Sequence, residues 1–170
     1  MSRILSIVVC FATLECFAAS TRAETLVPLE ALRGAPQSIQ VDGVVVQLKA
    51  QVWRDFMPGS LSDADTQSPE SAVPGRPMIA ALRVIARNGL RIPQGIRVDV
   101  AWVILRDRIW QSQPAEEQPR DAAAHEFVMT MRNGPKWPPQ AVVDIVVRIV
   151  DSNGAAHLLA SRHQKIEAAT

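Results

Sequence analysis

"GIRVDVAWVIL", residues 95–105, decides the fold class. Ile96, Val98, Val100, Trp102 and Ile104 form an unbroken apolar set at every second position, opposite Arg97 and Asp99. Successive side chains of a strand point to opposite faces, so period two with charge on one side predicts a half-buried strand with Trp102 as its central core aromatic. The same pattern recurs outward in both directions. From Val44 to Trp53, Val44, Val46, Leu48, Ala50 and Val52 point one way, while Val45, Gln47, Lys49, Gln51 and Trp53 point the other. In "PMIAALRVIAR" the inward set is Met78, Ala80, Leu82, Val84 and Ala86, and the strand stops at the turn signal Asn88-Gly89.

"EFVMTMR" directs Phe127, Met129 and Met131 inward, and "AVVDIVVRIV" directs Val143, Ile145, Val147 and Ile149 inward with Asp144 and Arg148 outward. The turn "DSNG", Asp151 to Gly154, leads to a last strand around Ala156 to Arg162, and a short first strand near Ser38 to Val41 is set off by Asp42-Gly43. Rich β-branched content and turn punctuation disfavour helix, leaving only Leu29 to Gly34 and Asp121 to His125 able to carry a helical turn. Residues 57 to 77 and 111 to 124 are polar, Pro-containing stretches that read as mobile surface loops.

Seven strands with intervening turns predict an all-β domain of two packed antiparallel sheets, a seven-stranded sandwich. It resembles the immunoglobulin or fibronectin type III class at the level of architecture alone. The chain has no tyrosine for a tyrosine corner, and its two cysteines, Cys10 and Cys16, both precede the strands. A small β-barrel is the second architecture compatible with this pattern.

The start of the chain reads as a secretory signal peptide: Arg3, an apolar run from Ile4 to Leu14, then Ala18, Ala19 and Ala23 as small residues for cleavage. Glu15 ends the run well short of the roughly 20 residues a membrane-spanning helix needs, so no stable membrane span is expected in the mature chain. Cleavage after Ala23, or alternatively near Ala19, removes both cysteines. The resulting division is 1–23 signal peptide, 24–37 lead segment, 38–167 β-sandwich domain and 168–170 tail. Arg3, Arg22 and Glu15 leave with the signal, which takes 18 basic and 17 acidic residues to 16 of each. A chain so balanced has no strong field for steering onto nucleic acid or an anionic membrane. The expected location is the periplasm or the exterior.

"WRDFMPG", residues 53–59, ends a strand on aromatic and charged residues before a Pro-Gly break. If successive strands alternate in direction, loops 54–77, 106–124 and 151–155 share one end of the sandwich, and 88–95 and 133–140 share the other. Trp53, Arg54 and Phe56 then meet Trp110 of "RDRIW" on one rim, with two Arg-Asp pairs. Aromatics and arginine are enriched where proteins bind each other, so these four residues are the candidate partner-binding set. The competing reading makes the same stretch a strand terminus with an aromatic plug. At the opposite end "RNGPKWPPQ" reads as a sheet-to-sheet crossover stiffened by Pro135, Pro138 and Pro139, or as a docking loop.

Catalysis finds little support in the chain. His125, His157 and His163 lie in no nucleophile motif, thiol chemistry is absent from the mature chain, and no glycine-rich phosphate cradle opens a helix. Asp63, Asp65, Glu116 and Glu117 fall in loops where solvated carboxylates keep ordinary pKa values. His125 with Met129 and Met131 offers copper-type donors, but alternate strand residues rise about 6.5 to 7 Å per step, and methionines facing a core are usually filler. The sequence therefore points to an exported, non-enzymatic accessory or adaptor domain that binds another exported or envelope protein and needs no cofactor. The alternative is a periplasmic carrier of copper or a small ligand.

Overall fold

The computed structural model describes residues 27–57 and 73–170. The expected signal peptide with Cys10 and Cys16, the Pro58-Gly59 break, and Asp63 and Asp65 lie outside the described residues. Those described form a one-turn helix, α1 (Leu29–Arg33), and nine strands: β1 (Ser38–Val41), β2 (Val44–Asp55), β3 (Met78–Ala86), β4 (Arg97–Leu105), β5 (Arg108–Ser112), β6 (Ala115–Glu116), β7 (Glu126–Gly134), β8 (Val142–Val150) and β9 (Ala156–Ala169). The protein is all-β, and its strands join in one curled mixed sheet of order β5-β4-β8-β9-β2-β3-β7-β6, with β1 paired to β2.

The seven expected strands are all present, but the sheet is not the expected seven-stranded antiparallel set. β5 and β6 are additional, and the end of β9 runs parallel to β2, Val52 to Asp55 against Ile166 to Ala169. The β1–β2 hairpin turns on Asp42 (φ 47°) and Gly43 (φ 78°), the two left-handed residues that a two-residue turn matching strand twist requires.

Curling follows from the strand order. β5 and β6 sit at opposite ends of the sheet, yet only Gln113 and Pro114 separate them in the chain. The half made of β4, β8 and β9 therefore faces the half made of β2, β3 and β7 across one core. Ala101, Val103, Ile145, Val147, Ile149 and Leu159 pack there against Val46, Leu48, Leu82, Val84, Met129 and Met131. Each fully buried Leu, Ile or Val adds about 1.5 to 3 kcal/mol of transfer free energy. β9 leaves β8 and reaches β2 through a bulge at Arg162 and His163, where Asp144 stands opposite both. His163 (φ 55°) donates its backbone N–H to Asp144 Oδ1 at 2.9 Å, and Arg162 donates to Oδ2 at 3.1 Å.

The outer face of β4, β8 and β9 is also buried. Leu32 and Ala35 of the lead segment cover Val100, Trp102, Ile104, Val146 and Ala160. Trp102 is thus buried in this second, outer cluster and is not the central core aromatic that strict alternation from Ile96 predicts. The reason is a bulge at Asp99: Val98 pairs with Ile149 but Val100 with Arg148, so Asp99 is an extra residue and every later side chain changes face. Arg148 clamps the bulge by a two-pronged ion pair to Asp99, 2.8 and 2.9 Å. Arg162 fastens the lead segment, donating to the carbonyls of Leu32, Arg33 and Ala35 at 3.1, 2.7 and 2.8 Å. Carbonyls at and just past a helix C-terminus are short of intrahelical donors, so a cation there satisfies them; the Leu32 carbonyl also accepts the Ala35 N–H at 3.3 Å.

β5 corrects the expected loop map. It turns the chain back after β4, which inverts the direction of every later strand. Loop 133–140 consequently shares the end of 54–57 and the β4–β5 turn, as the Arg54 bond to the Trp137 carbonyl shows. Loop 151–155 lies at the other end, where the Ser152 N–H donates to Asp42 at 3.1 Å and Gly95 abuts Ser152. The stretch 111–124 is likewise more than a surface loop: it holds the end of β5, β6, and Arg120, which donates to the Ile96 carbonyl at 2.8 Å and lies 3.6 Å over the Phe127 ring.

Candidate functional site

Arg54 has the same parity on β2 as Leu48, Ala50 and Val52, so it points inward and is 2% exposed. It is not the exposed rim cation expected of a docking residue. Its guanidinium donates to the carbonyls of Arg76 (3.1 Å), Trp137 (3.1 Å), Lys136 (3.4 Å) and Pro74. Burial draws the pKa of the guanidinium below its ordinary value. An arginine spans this cage because its planar fork sends donors in several fixed directions, which one ammonium does not. The neighbouring carboxylate does not share the work: Asp55 faces Arg76 at 3.6 Å and accepts the Met57 N–H at 2.8 Å.

Phe56 lies 4.8 Å from the Arg54 guanidinium carbon, with Gly75 on its edge. A Cβ at Gly75 (φ 86°) would come within 2.6 Å of the Phe56 ring, so this contact and the left-handed backbone both require glycine. Phe56 therefore plugs the end of the sheet, as the structural reading of "WRDFMPG" has it. Trp110 also turns inward: it pairs with core residue Val103, packs against the core, and its indole covers Gly134 so closely that a Cβ there would sit 2.7 Å from the ring. It stands across the seam between β5 and β7.

Trp53 alone of the four faces outward, half-buried between Ile79 of β3 and Glu167 of β9. Trp53 and Trp110 thus point to opposite faces of the sheet, and the four residues do not make one exposed rim. Around Trp53 the outer face of β2, β3 and β7 is laid out in rows. Lys49, Arg83 and Val128 are cross-strand neighbours, as are Gln51, Ala81 and Thr130 in the next row and Gln47, Ile85 and Glu126 in the row before. Glu117 reaches over the β7 side of this face to Thr130 and Arg132, but among the described residues no hydrophobic cluster covers it, in contrast to the face that the lead segment covers. Lys49 and Arg83 stand directly opposite with like charge, and among the described residues Arg83 has only a long contact to Glu126, 3.8 Å.

The crossover 135–140 is a structural element. Trp137 is 3% exposed in the core, and Arg108 stacks 5.3 Å over its ring. The indole Nε1 of Trp137 is buried without a hydrogen-bond partner among the described residues.

The alternative chemistry is dispersed. Met129 and Met131 are 2% and 0% exposed in the core, whereas His125 is exposed at the start of β7, so the three copper-type donors do not converge. Among the described residues no group of three or more His, Cys, Asp or Glu side chains is placed to hold a metal ion. His157 reaches Asp151 at 3.2 Å in the β8–β9 turn. Burial pushes the Asp151 carboxyl up, but the N–H groups of Ala155 and Asn153 together with His157 outweigh it and hold the pKa below the ordinary range.

The two loop glutamates are engaged by arginines. Glu116 forms a two-pronged pair with Arg120, 3.1 Å on both arms, and Glu117 meets Arg132 at 2.5 Å. The hydrogen bond from Arg132, with its positive charge, lowers the pKa of Glu117, contrary to the ordinary value expected of a solvated loop carboxylate.

Sequence reasoning missed the Arg54 cage although the signal was present in the alternation itself, since position 54 continues the inward series 48, 50, 52. Comparison of the chain with protein-family models, with curated proteins and with solved structures returns no match.

Proposed function

We propose that the chain is an exported, non-enzymatic adaptor, periplasmic or secreted, whose domain docks another exported or envelope protein on the outer face of β2, β3 and β7. We read the curled sheet as a variant of the immunoglobulin-like or fibronectin-like two-layer sandwich, a reading supported by the single core between its halves. The observation that carries the docking reading is the contrast between the two outer faces. One is closed by the lead segment; the other leaves Trp53 half-buried and Val128 42% exposed beside the opposed cations Lys49 and Arg83. Like charges directly opposite across a strand pair are destabilising, and a carboxylate from a partner relieves them. Trp53 supplies the large rigid anchor typical of binding hot spots. The partner is therefore a protein that presents carboxylates around an apolar contact.

The test is affinity capture from the exported fraction with four baits: wild type, Trp53→Ser, Lys49→Glu with Arg83→Glu, and Gln40→Ala as control. A partner retained by wild type and Gln40→Ala but lost from both face variants supports the reading. Equal recovery on all four removes this face as the docking site. The copper alternative has no supporting geometry among the described residues.

A further inference from the structure

At the end of the sheet where the β4–β5 turn meets the proline crossover, an open cleft of about 650 Å³ lies between Leu105 to Arg108 and Pro138, Ala141 and Val142. This size falls within the range of small-molecule sites, roughly 300 to 1,000 Å³. Its walls divide by chemistry. Leu105, Pro138, Ala141 and Val142 give an apolar side, on which Val142 remains 47% exposed.

The other side carries cations without a neutralising anion. Asp107, the only carboxylate on the cleft among the described residues, is bonded to Arg33 at 2.8 Å, and Arg33 also donates to the Arg106 carbonyl at 3.1 Å. That double tie holds Arg33 against the turn and engages one oxygen of the carboxylate. Arg106, held in the left-handed region (φ 57°), and Arg108, stacked on Trp137, have no carboxylate partner among the described residues. Beneath Arg108 the Trp137 indole N–H is likewise unpartnered among the described residues, an uncommon state for a buried donor.

We infer that this cleft binds a small amphipathic carboxylate, its head on Arg106 and Arg108 and its apolar body along Pro138, Ala141 and Val142. Two guanidinium groups beside an apolar wall match that ligand in charge and in shape, because arginine pairs with carboxylates through two parallel N–H donors. The site is on β4, β5 and the crossover, away from the β2–β3–β7 face, so its failure leaves the docking proposal standing and the reverse also holds.

Titration calorimetry of the purified chain with decanoate, 1-decanol and decylamine, below micelle-forming concentrations, tests it. Decanoate is expected to bind one to one with a Kd on the order of 100 μM, a fair value for a dozen heavy atoms. The alcohol and the amine are expected to bind at least tenfold more weakly. Arg106→Gln and Arg108→Gln are each expected to weaken decanoate about tenfold, the scale of one charge-assisted hydrogen bond. Val142→Trp fills the cleft and abolishes binding, while Arg91→Gln, at the far end of the sheet, leaves it unchanged. Thermal melts establish that each variant is folded, and Arg106→Gln, on an exposed side chain, keeps the test open if Arg108→Gln unfolds. Absence of saturable decanoate binding, equal binding of decylamine, or indifference to the Arg106 substitution overturns the inference.

Discussion

Replacing Arg54 with Met separates a docking residue from a structural one. The side chain is 2% exposed and donates to the carbonyls of Pro74, Arg76 and Trp137, with a longer contact to Lys136. A hydrogen bond from a charged donor contributes about 1.5 to 3 kcal/mol, and each buried acceptor left unpaired costs about 1 to 3 kcal/mol. These do not add in full, because water can reach part of the vacated site, so the expected loss is about 3 to 5 kcal/mol, as for breaking a buried charge network. Against a total stability of about 5 to 15 kcal/mol this is a large fraction. With a urea slope of ~2 kcal/mol per molar, the unfolding midpoint followed by circular dichroism is expected to fall by about 1.5 to 2.5 M. Arg54→Lys keeps the charge but not the fork, and is expected to recover no more than about half of the loss. A midpoint within ~0.3 M of wild type for Arg54→Met refutes the cage as the anchor of this end of the sheet.

Gly134→Ala places a Cβ 2.7 Å from the Trp110 indole, so it is expected to cost about 1 to 3 kcal/mol by overpacking, and Trp110→Leu in the same chain is expected to relieve most of it in a double-mutant cycle. Val147→Asp introduces an unpaired charge at a fully buried core position and is expected to abolish the cooperative thermal transition, while Val100→Asp, beneath the lead segment, is expected to free that segment to limited proteolysis as well. Acidification reports Asp151. Its folded pKa lies below the unfolded one, so its contribution is fully present above the unfolded value of about 4 and is lost as pH falls through the folded value. Asp151→Asn is expected to remove that component, giving a shallower decline of urea midpoint with falling pH over this window than wild type.

How much of this was legible in the sequence depends on how far each strand keeps its period. β2, β3 and β8 hold an unbroken alternation, as does β7 up to the bulge after Met131, and their inward residues read off the sequence are the ones in the core. "DG" at residues 42–43 carried the hairpin because only its chemistry meets the positive φ angles. β5 escaped notice because its five residues follow Arg-Asp and bury no continuous face: Ile109 is 42% exposed and Trp110 half-buried. Missing it inverted the expected direction of everything after it. The bulge at Asp99 was hidden for a different reason. Alternate positions 96 to 104 are apolar whether or not the face changes, and the contrary signal was the continuous run Val100 to Ile104, which marks a strand buried on both sides. Of the four expected docking residues, parity alone reassigns Arg54; the inward turn of Trp110 depends on β5 and could not be read without it.

The parallel pairing of β2 with β9 ties together segments from opposite ends of the described chain. Such distant partners bring a large loop-closure cost before any reward, which places folding toward the slow, milliseconds-to-seconds regime of topologically non-local β proteins. Until β9 is delivered, the edge of β2 from Val52 to Asp55 has no strand beside it, and an unzipped edge of that kind is an invitation to self-association. That interval, before the C-terminal strand arrives, is when the folding chain is most open to aggregation.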